Sequence, residues 1–459
     1  MRRNIIGLLI AAALAWPAMA YTTSDNLNNV LHVGDGTNRA GDIGAQINSA
    51  YASLPNGGGT IVINPPTNGG CYSFSTPINL STLGKYPVLV GNAPGGASAS
   101  EGTCLNYTPT TATAAITLDY ATTTVGITAV NSGLRDITLF NNNCVTSGGC
   151  SSLATGINIG TTNGGDANST YTRVTVEGFN VGYKELNTNV AVAGEQWIVP
   201  NFIANSTALT VLGATEKMIA GQFSGNGKVF LAPSGSRQSE IYFSGTTFVS
   251  NNADPVFDYS AATAPAFIDV SQVHLENSPS LTGHYFSGCF NLTSTAGEME
   301  DDNATGTGDW MVKPTCTQGF VMIQGTTLVS ARTYTSIVNV PSLTRVTVAP
   351  VVASPSTITT LVNGAFASSA NIMPLTNSAA GAIHWAILPE TTFGRGLFTE
   401  TTTLANVLSD HPCTNAAEKG LIAGVVDANA PTWNAPIVGG GSTLVLAVCT
   451  GAGGVWTAH

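Results

Sequence analysis

The chain has 459 residues, the length of two or three domains or of one elongated repeat. Charged residues are only 9% of it against 43% apolar, and 51 Gly and 60 Thr stand against 6 Lys; this turn-dense, β-rich composition excludes a helical bundle or coiled coil. The formal charge of −11 argues against nucleic acid as a partner.

Residues 1–20 open with Arg2 and Arg3, continue as an apolar run from Ile5 to Trp16 and close on Ala18-Met19-Ala20. That order is the pattern of a secretory signal peptide, and the run is shorter than the roughly 20 apolar residues a membrane span needs. Mature protein should begin at Tyr21 and carry 13 basic against 26 acidic residues. Export leads to the medium, the cell surface or the periplasm. Elsewhere Gly, Pro, Thr or Asn interrupts every apolar run, so no membrane span is expected.

After the leader, Ile43, Ile47, Ala50, Tyr51 and Leu54 recur at helical spacing and predict a helix over 42–54, stopped by Pro55-Asn56-Gly57. Three short strands should follow, in Thr60-Ile61-Val62-Ile63, Cys71-Tyr72-Ser73-Phe74 and Ile78-Asn79-Leu80. From there to about residue 290 short alternating segments are punctuated by Gly, Asn and Ser. Ile137, Val174, Phe202, Phe223, Phe243 and Val270 serve as anchors whose irregular spacing suits a solenoid with loop insertions better than a β-sandwich.

The helix, the phrase Gly57-Gly58-Gly59-Thr60-Ile61-Val62-Ile63-Asn64-Pro65-Pro66, and later Gly133-Leu134-Arg135-Asp136-Ile137-Thr138 and Val273-His274-Leu275-Glu276-Asn277 together resemble pectate-lyase-like right-handed parallel β-helix proteins, tailspike-like members included. The resemblance spans roughly residues 30–290. It implies an all-β solenoid capped by the N-terminal helix and a polysaccharide or cell-surface glycan as partner, and it admits a homotrimer. It is weak for activity, because such proteins include lyases, hydrolases, epimerases and non-catalytic spikes. The expected division is 1–20 leader, 21–316 solenoid, 317–387 β-rich continuation or linker, and 388–459 a small β module with a short helix near Leu404.

Eight cysteines in an oxidising compartment read as disulfides. Sequential pairing, Cys71 with Cys104, Cys144 with Cys150, Cys289 with Cys316 and Cys413 with Cys449, keeps every closed loop local. A metal cluster is disfavoured, since no CxxC spacing occurs.

In 267–277 alternation turns Ile268, Val270, Val273 and Leu275 inward and leaves Asp269, His274 and Glu276 outward. These three are the candidate acid and base groups, with Tyr242 one coil earlier as a sugar platform; the rival reading is a set of solvated surface residues. Glu298-Met299-Glu300-Asp301-Asp302 reads as a solvated acidic loop; a Ca²⁺ site and a paired-acid site are the less favoured readings, and no cofactor is assigned. The Asn-Thr-Asp and His-Gly segments of polygalacturonase-type hydrolases are missing. Arg173 and Arg237 lack the Asp cluster that lyase chemistry would want, and Trp197 and Trp310 are either sugar platforms or core. Two classes of function stay open: a polysaccharide lyase or glycoside hydrolase, and a non-catalytic adhesion protein.

Overall fold

The computed structural model describes residues 29–376 and 401–459 apart from several segments, the longest being 93–102, 121–131, 142–150, 187–193, 278–284 and 415–421. The expected leader, the Cys144–Cys150 pair, Arg237, Asp302 and Trp310 lie outside the described residues.

The expected parallel β-helix is what forms. Each regular coil contributes two strands to one continuous parallel ladder and a third to a second ladder. One coil, for instance, runs Glu195–Ile198, Asn201–Ile203 and Thr207–Val211, and every strand pairs in parallel with its counterpart about one coil later. We call these three sides the first, second and third faces. The corner between the first two is a single left-handed residue, Val199, Ala220, Gly245, Gln272 and Ala296 in successive coils, with φ of 50–61°. One such residue turns the chain sharply while leaving the flanking strands free to pair.

The corner between the second and third faces carries a different device. Ala204, Gly225 and Ser250 are left-handed, and the Asn that follows each is fully buried. Asn205 Nδ2 donates to Asn226 Oδ1 at 3.0 Å, and Asn226 Nδ2 donates to Asn251 Oδ1 at 3.0 Å. The side-chain amides thus extend the hydrogen-bond ladder through the interior, where an unpaired polar group would cost about 1–3 kcal/mol.

Like residues stack because the coils are in register. Phe202, Phe223 and Phe248 stack in sequence at 5.1 Å, and Phe257 stacks on Phe286 at 4.4 Å. The sequence anchors need one correction here: Phe223 is followed one coil later by Phe248, whereas Phe243 belongs to the first face and stands over Met218. Val174 does stack on the anchor Ile137, but the partner of Phe202 is Val176, two residues further along the same strand. Periodicity in a row of phenylalanines cannot tell adjacent faces of one coil apart, because both point into the same core.

The cap is the helix Ile43–Ser53, with Ile43, Ile47, Ala50 and Tyr51 buried on one side. Its N-cap, Asp42, accepts from the Ala45 N–H at 2.9 Å and, through its other oxygen, from the N–H groups of Ser75 and Thr76 at 2.9 and 3.0 Å. One carboxylate therefore caps the helix and pins it to the first coil. Burial alone would raise the pKa of Asp42, but these three donors outweigh it and hold the group below its ordinary 3.8. Its stabilisation is thus present above that value and lost as pH falls through the lower folded pKa. Asp42→Ala is expected to cost about 1–2 kcal/mol at neutral pH, and the gap from the parent should close in thermal scans below pH 3.8. A gap independent of pH would show that the carboxylate charge contributes nothing.

Parallel pairing continues past Cys316: Phe320–Ser330 pairs with Phe290–Thr295 and Arg345–Val352, and Thr333–Asn339 pairs with Thr357–Asn363. Cys71–Cys104 and Cys289–Cys316 are disulfides that join neighbouring coils, and Cys413–Cys449 closes the C-terminal module. In that module the strands Ile422–Ala428, Thr443–Cys449 and Trp456–Ala458 pair antiparallel, and the helix Leu404–Asp410 contributes Leu404 and Val407 to a separate core. No described helix is long and apolar enough to cross a membrane.

Candidate functional site

Where the inside of each coil is apolar, the alternate side chains face outward and line up from coil to coil. Ile268, Val270, Val273 and Leu275 are buried, which turns Asp269, His274 and Glu276 out. The corner residue Gln272 separates them: Asp269 is on the first face, His274 and Glu276 are on the second.

On the second face the register sets His274 over Glu298 and Glu276 over Glu300. His274 Nδ1 lies 3.2 Å from Glu298 Oε2, and His274 Nε2 lies 3.4 Å from Glu276 Oε2. The imidazole thus bridges carboxylates on two coils and can pass a proton between them. His274, Glu298 and Glu300 each present a ligand atom within 4.8 Å of the others, a donor set of the kind that can hold a divalent cation.

Glu298–Asp301 is a strand, and the reading of an acidic loop is corrected. Met299 is fully buried, so its insertion into the core turns Glu298 and Glu300 outward. The alternation of Glu298-Met299-Glu300 is itself a strand signal. What no local pattern could supply was the separation of 24 residues that brings Glu298 beside His274.

On the first face Tyr242 and Asp269 are register partners. Tyr242 donates to Glu240 Oε2 at 3.3 Å, and its pKa is raised by burial first and then by the charges of Glu240 and Asp269. Burial raises the pKa of Asp269 as well, so it keeps its proton to higher pH than a solvated aspartate. Of the four candidates, then, the fold joins His274 with Glu276 and Tyr242 with Asp269, on adjoining faces of consecutive coils.

Other candidates go to structural roles. Trp197 is fully buried, stacked on Tyr171 at 4.0 Å, and is core. Arg173 forms two bonds to Asp136, at 2.6 and 2.9 Å, between neighbouring coils.

No protein-family model matches the chain, and no curated protein matches its sequence. Among solved structures it is similar to an Acinetobacter phage tailspike protein at 13% identity, covering 92% of this chain and 76% of the other with a TM-score of 0.43. It is similar to the DFA-IIIase of Arthrobacter chlorophenolicus at 14% identity, with 72% and 94% coverage and a TM-score of 0.34. The A-module of an Azotobacter vinelandii mannuronan C-5 epimerase gives 15% identity, 76% and 97% coverage and a TM-score of 0.34. The fold itself rests on the ladder register described above.

Proposed function

We propose that the chain is an exported β-helix protein that binds polysaccharide on its outer faces and cleaves it by acid–base chemistry. One observation carries the reading: the ladder gathers His274, Glu276, Glu298 and Glu300 on one solvent-facing side of the solenoid. Glycoside hydrolysis needs two carboxyl groups about 5–5.5 Å apart for retention or about 6.5–9.5 Å for inversion. The backbone spacings of a parallel ladder, about 4.8 Å between stacked strands and about 6.5–7 Å between residues two apart on one strand, bring carboxyl groups near these separations, and ligand oxygens of Glu298 and Glu300 come within 4.8 Å of each other. In this reading Glu276 is the general acid or base, His274 shares its proton, and the second carboxylate is Asp269 or one of the glutamates of the next coil. Tyr242 offers a ring face to a sugar. The disulfides, which persist in oxidising compartments, support export.

Glu276→Gln keeps the side-chain shape and removes the ionisable group. On any glycan the parent cleaves, turnover is expected to fall by about 10² or more with the fold retained. Reducing-end release and the absorbance of unsaturated products would be followed side by side, since the second also reports elimination. Equal turnover in parent and variant would move the catalytic group off Glu276.

A second reading, a non-catalytic glycan-binding surface, is favoured by the same imidazole: both His274 nitrogens already face carboxylates, as in a structural clasp. Affinity without product across neutral and acidic glycans would select it.

A further inference from the structure

The first face carries an aromatic strip beside the carboxylates of the second. Tyr242, Phe267 and Phe320 point outward and are half-buried. Their ring centroids are 5.9 Å apart from Tyr242 to Phe267 and 6.0 Å from Phe267 to Phe320. The second contact crosses an intervening strand at Asn291, a shorter side chain that stacks on Phe267 and accepts from the Phe320 N–H at 2.9 Å. The strip therefore runs across four consecutive strands of the first face, Glu240–Ser244, Ala266–Ser271, Phe290–Thr295 and Phe320–Ser330, along the axis of the solenoid.

What borders the strip is polar and mostly acidic. Glu240 and Asp269 lie within it, Ser271, Thr293 and Thr295 add hydroxyl groups, and Glu276, Glu298 and Glu300 stand across the corner. Lys217, in register with Tyr242 one coil earlier, and Arg345, in register with Phe320 one coil later, are described cations at the two ends of it. Outward aromatic rings in a row are costly to leave in water and suit a ligand with repeated apolar faces and hydroxyl rims. The surrounding carboxylates repel a polyanion.

We infer that Tyr242, Phe267 and Phe320 form the binding lane of the proposed glycan site, and that the lane takes an uncharged polysaccharide laid along the solenoid axis. Successive sugar rings rest on successive coils, and the polymer passes beside Glu276 and Glu300 on the adjoining face. A polyuronate is disfavoured along the middle of that path by the like charge of Glu240, Asp269, Glu276 and Glu300, although a cation stands in register at each end. The inference deepens the glycan-binding reading and rests on it.

The test uses the full chain in EDTA at low salt, titrated calorimetrically with cellohexaose, maltohexaose, mannohexaose, hexagalacturonate and hexamannuronate. At least one neutral hexaose should bind and neither acidic one should. For the neutral ligand, Phe267→Ala and Tyr242→Ala should each weaken affinity by about tenfold or more. Phe267→Leu, which keeps the apolar bulk and loses the flat ring, should weaken it similarly at an unchanged melting temperature, separating ring stacking from misfolding. Affinity should also rise from the trisaccharide to the hexaose.

Binding of an acidic hexaose in place of the neutral ones would overturn the inference and leave the glycan-binding reading standing. So would neutral binding that is indifferent to all three substitutions. Failure of all five probes would instead count against the glycan-binding reading itself.

Discussion

Trp197→Ala is expected to cost about 3–5 kcal/mol in the coils around it, the largest single effect of any substitution considered. The indole is fully buried, stacked on Tyr171 at 4.0 Å, edge-on to Tyr183 at 5.2 Å and tilted against Phe202 at 5.3 Å. Its Nε1–H donates to Glu216 Oε2 at 2.9 Å, and Glu216 is itself fully buried. The truncation therefore opens a cavity among three aromatic rings and withdraws a donor from a carboxylate that water cannot reach. Trp197→Phe separates the two terms: it refills most of the volume, so the deficit that remains reports the hydrogen bond, about 1–3 kcal/mol. Thermal unfolding followed by near-ultraviolet circular dichroism reads both. A melting temperature shared by parent and Ala variant would remove Trp197 from the core.

Ile47→Asp attacks the end of the solenoid instead of its middle. Ile47 is fully buried under the cap, and a carboxylate there has lost its water, at a cost of several kcal/mol. A solenoid is held by contacts between neighbours, so the damage should begin at the first coil. Lifting the helix would uncover Ile61, Ile78 and Leu80 together with unpaired strand edges, which invites aggregation. Hydrogen exchange should rise first in residues 43–80, ahead of the coils around Trp197, and light scattering should grow with concentration. Native protection in the cap, with native solubility, would mean that the helix seals nothing.

The contrast between these two positions shows how the chain can be read. The cap was legible because its signals are local: five apolar residues at helical spacing and a Pro-Asn-Gly stop. Three of the four disulfide pairs were legible for a related reason. Cys71 and Cys104 lie opposite each other on stacked strands, so a pairing that keeps loops short agrees with a fold whose neighbours in space are one coil apart in sequence. The two-residue alternation likewise settled which of 267–277 face outward.

The site was only half legible. His274 and Glu276 share a face because they are two residues apart on a strand, and alternation alone says so. Glu298 joins them because the coil between happens to be 24 residues long, and the loops that make up that length vary from coil to coil. The same cause misled the choice of Phe243 as the successor of Phe223. Corner positions add a second limit: Gln272 is an ordinary residue in sequence, yet its left-handed backbone, φ 53°, puts Asp269 and His274 on different faces. The spacing of short apolar segments thus favoured a solenoid, the resemblance to β-helix proteins implied its helical cap, and alternation by itself determined which of Asp269, His274 and Glu276 and their neighbours point outward. Which outward residues meet was decided by tertiary structure alone, because that depends on coil length and corner geometry, and neither leaves a periodic trace in the chain.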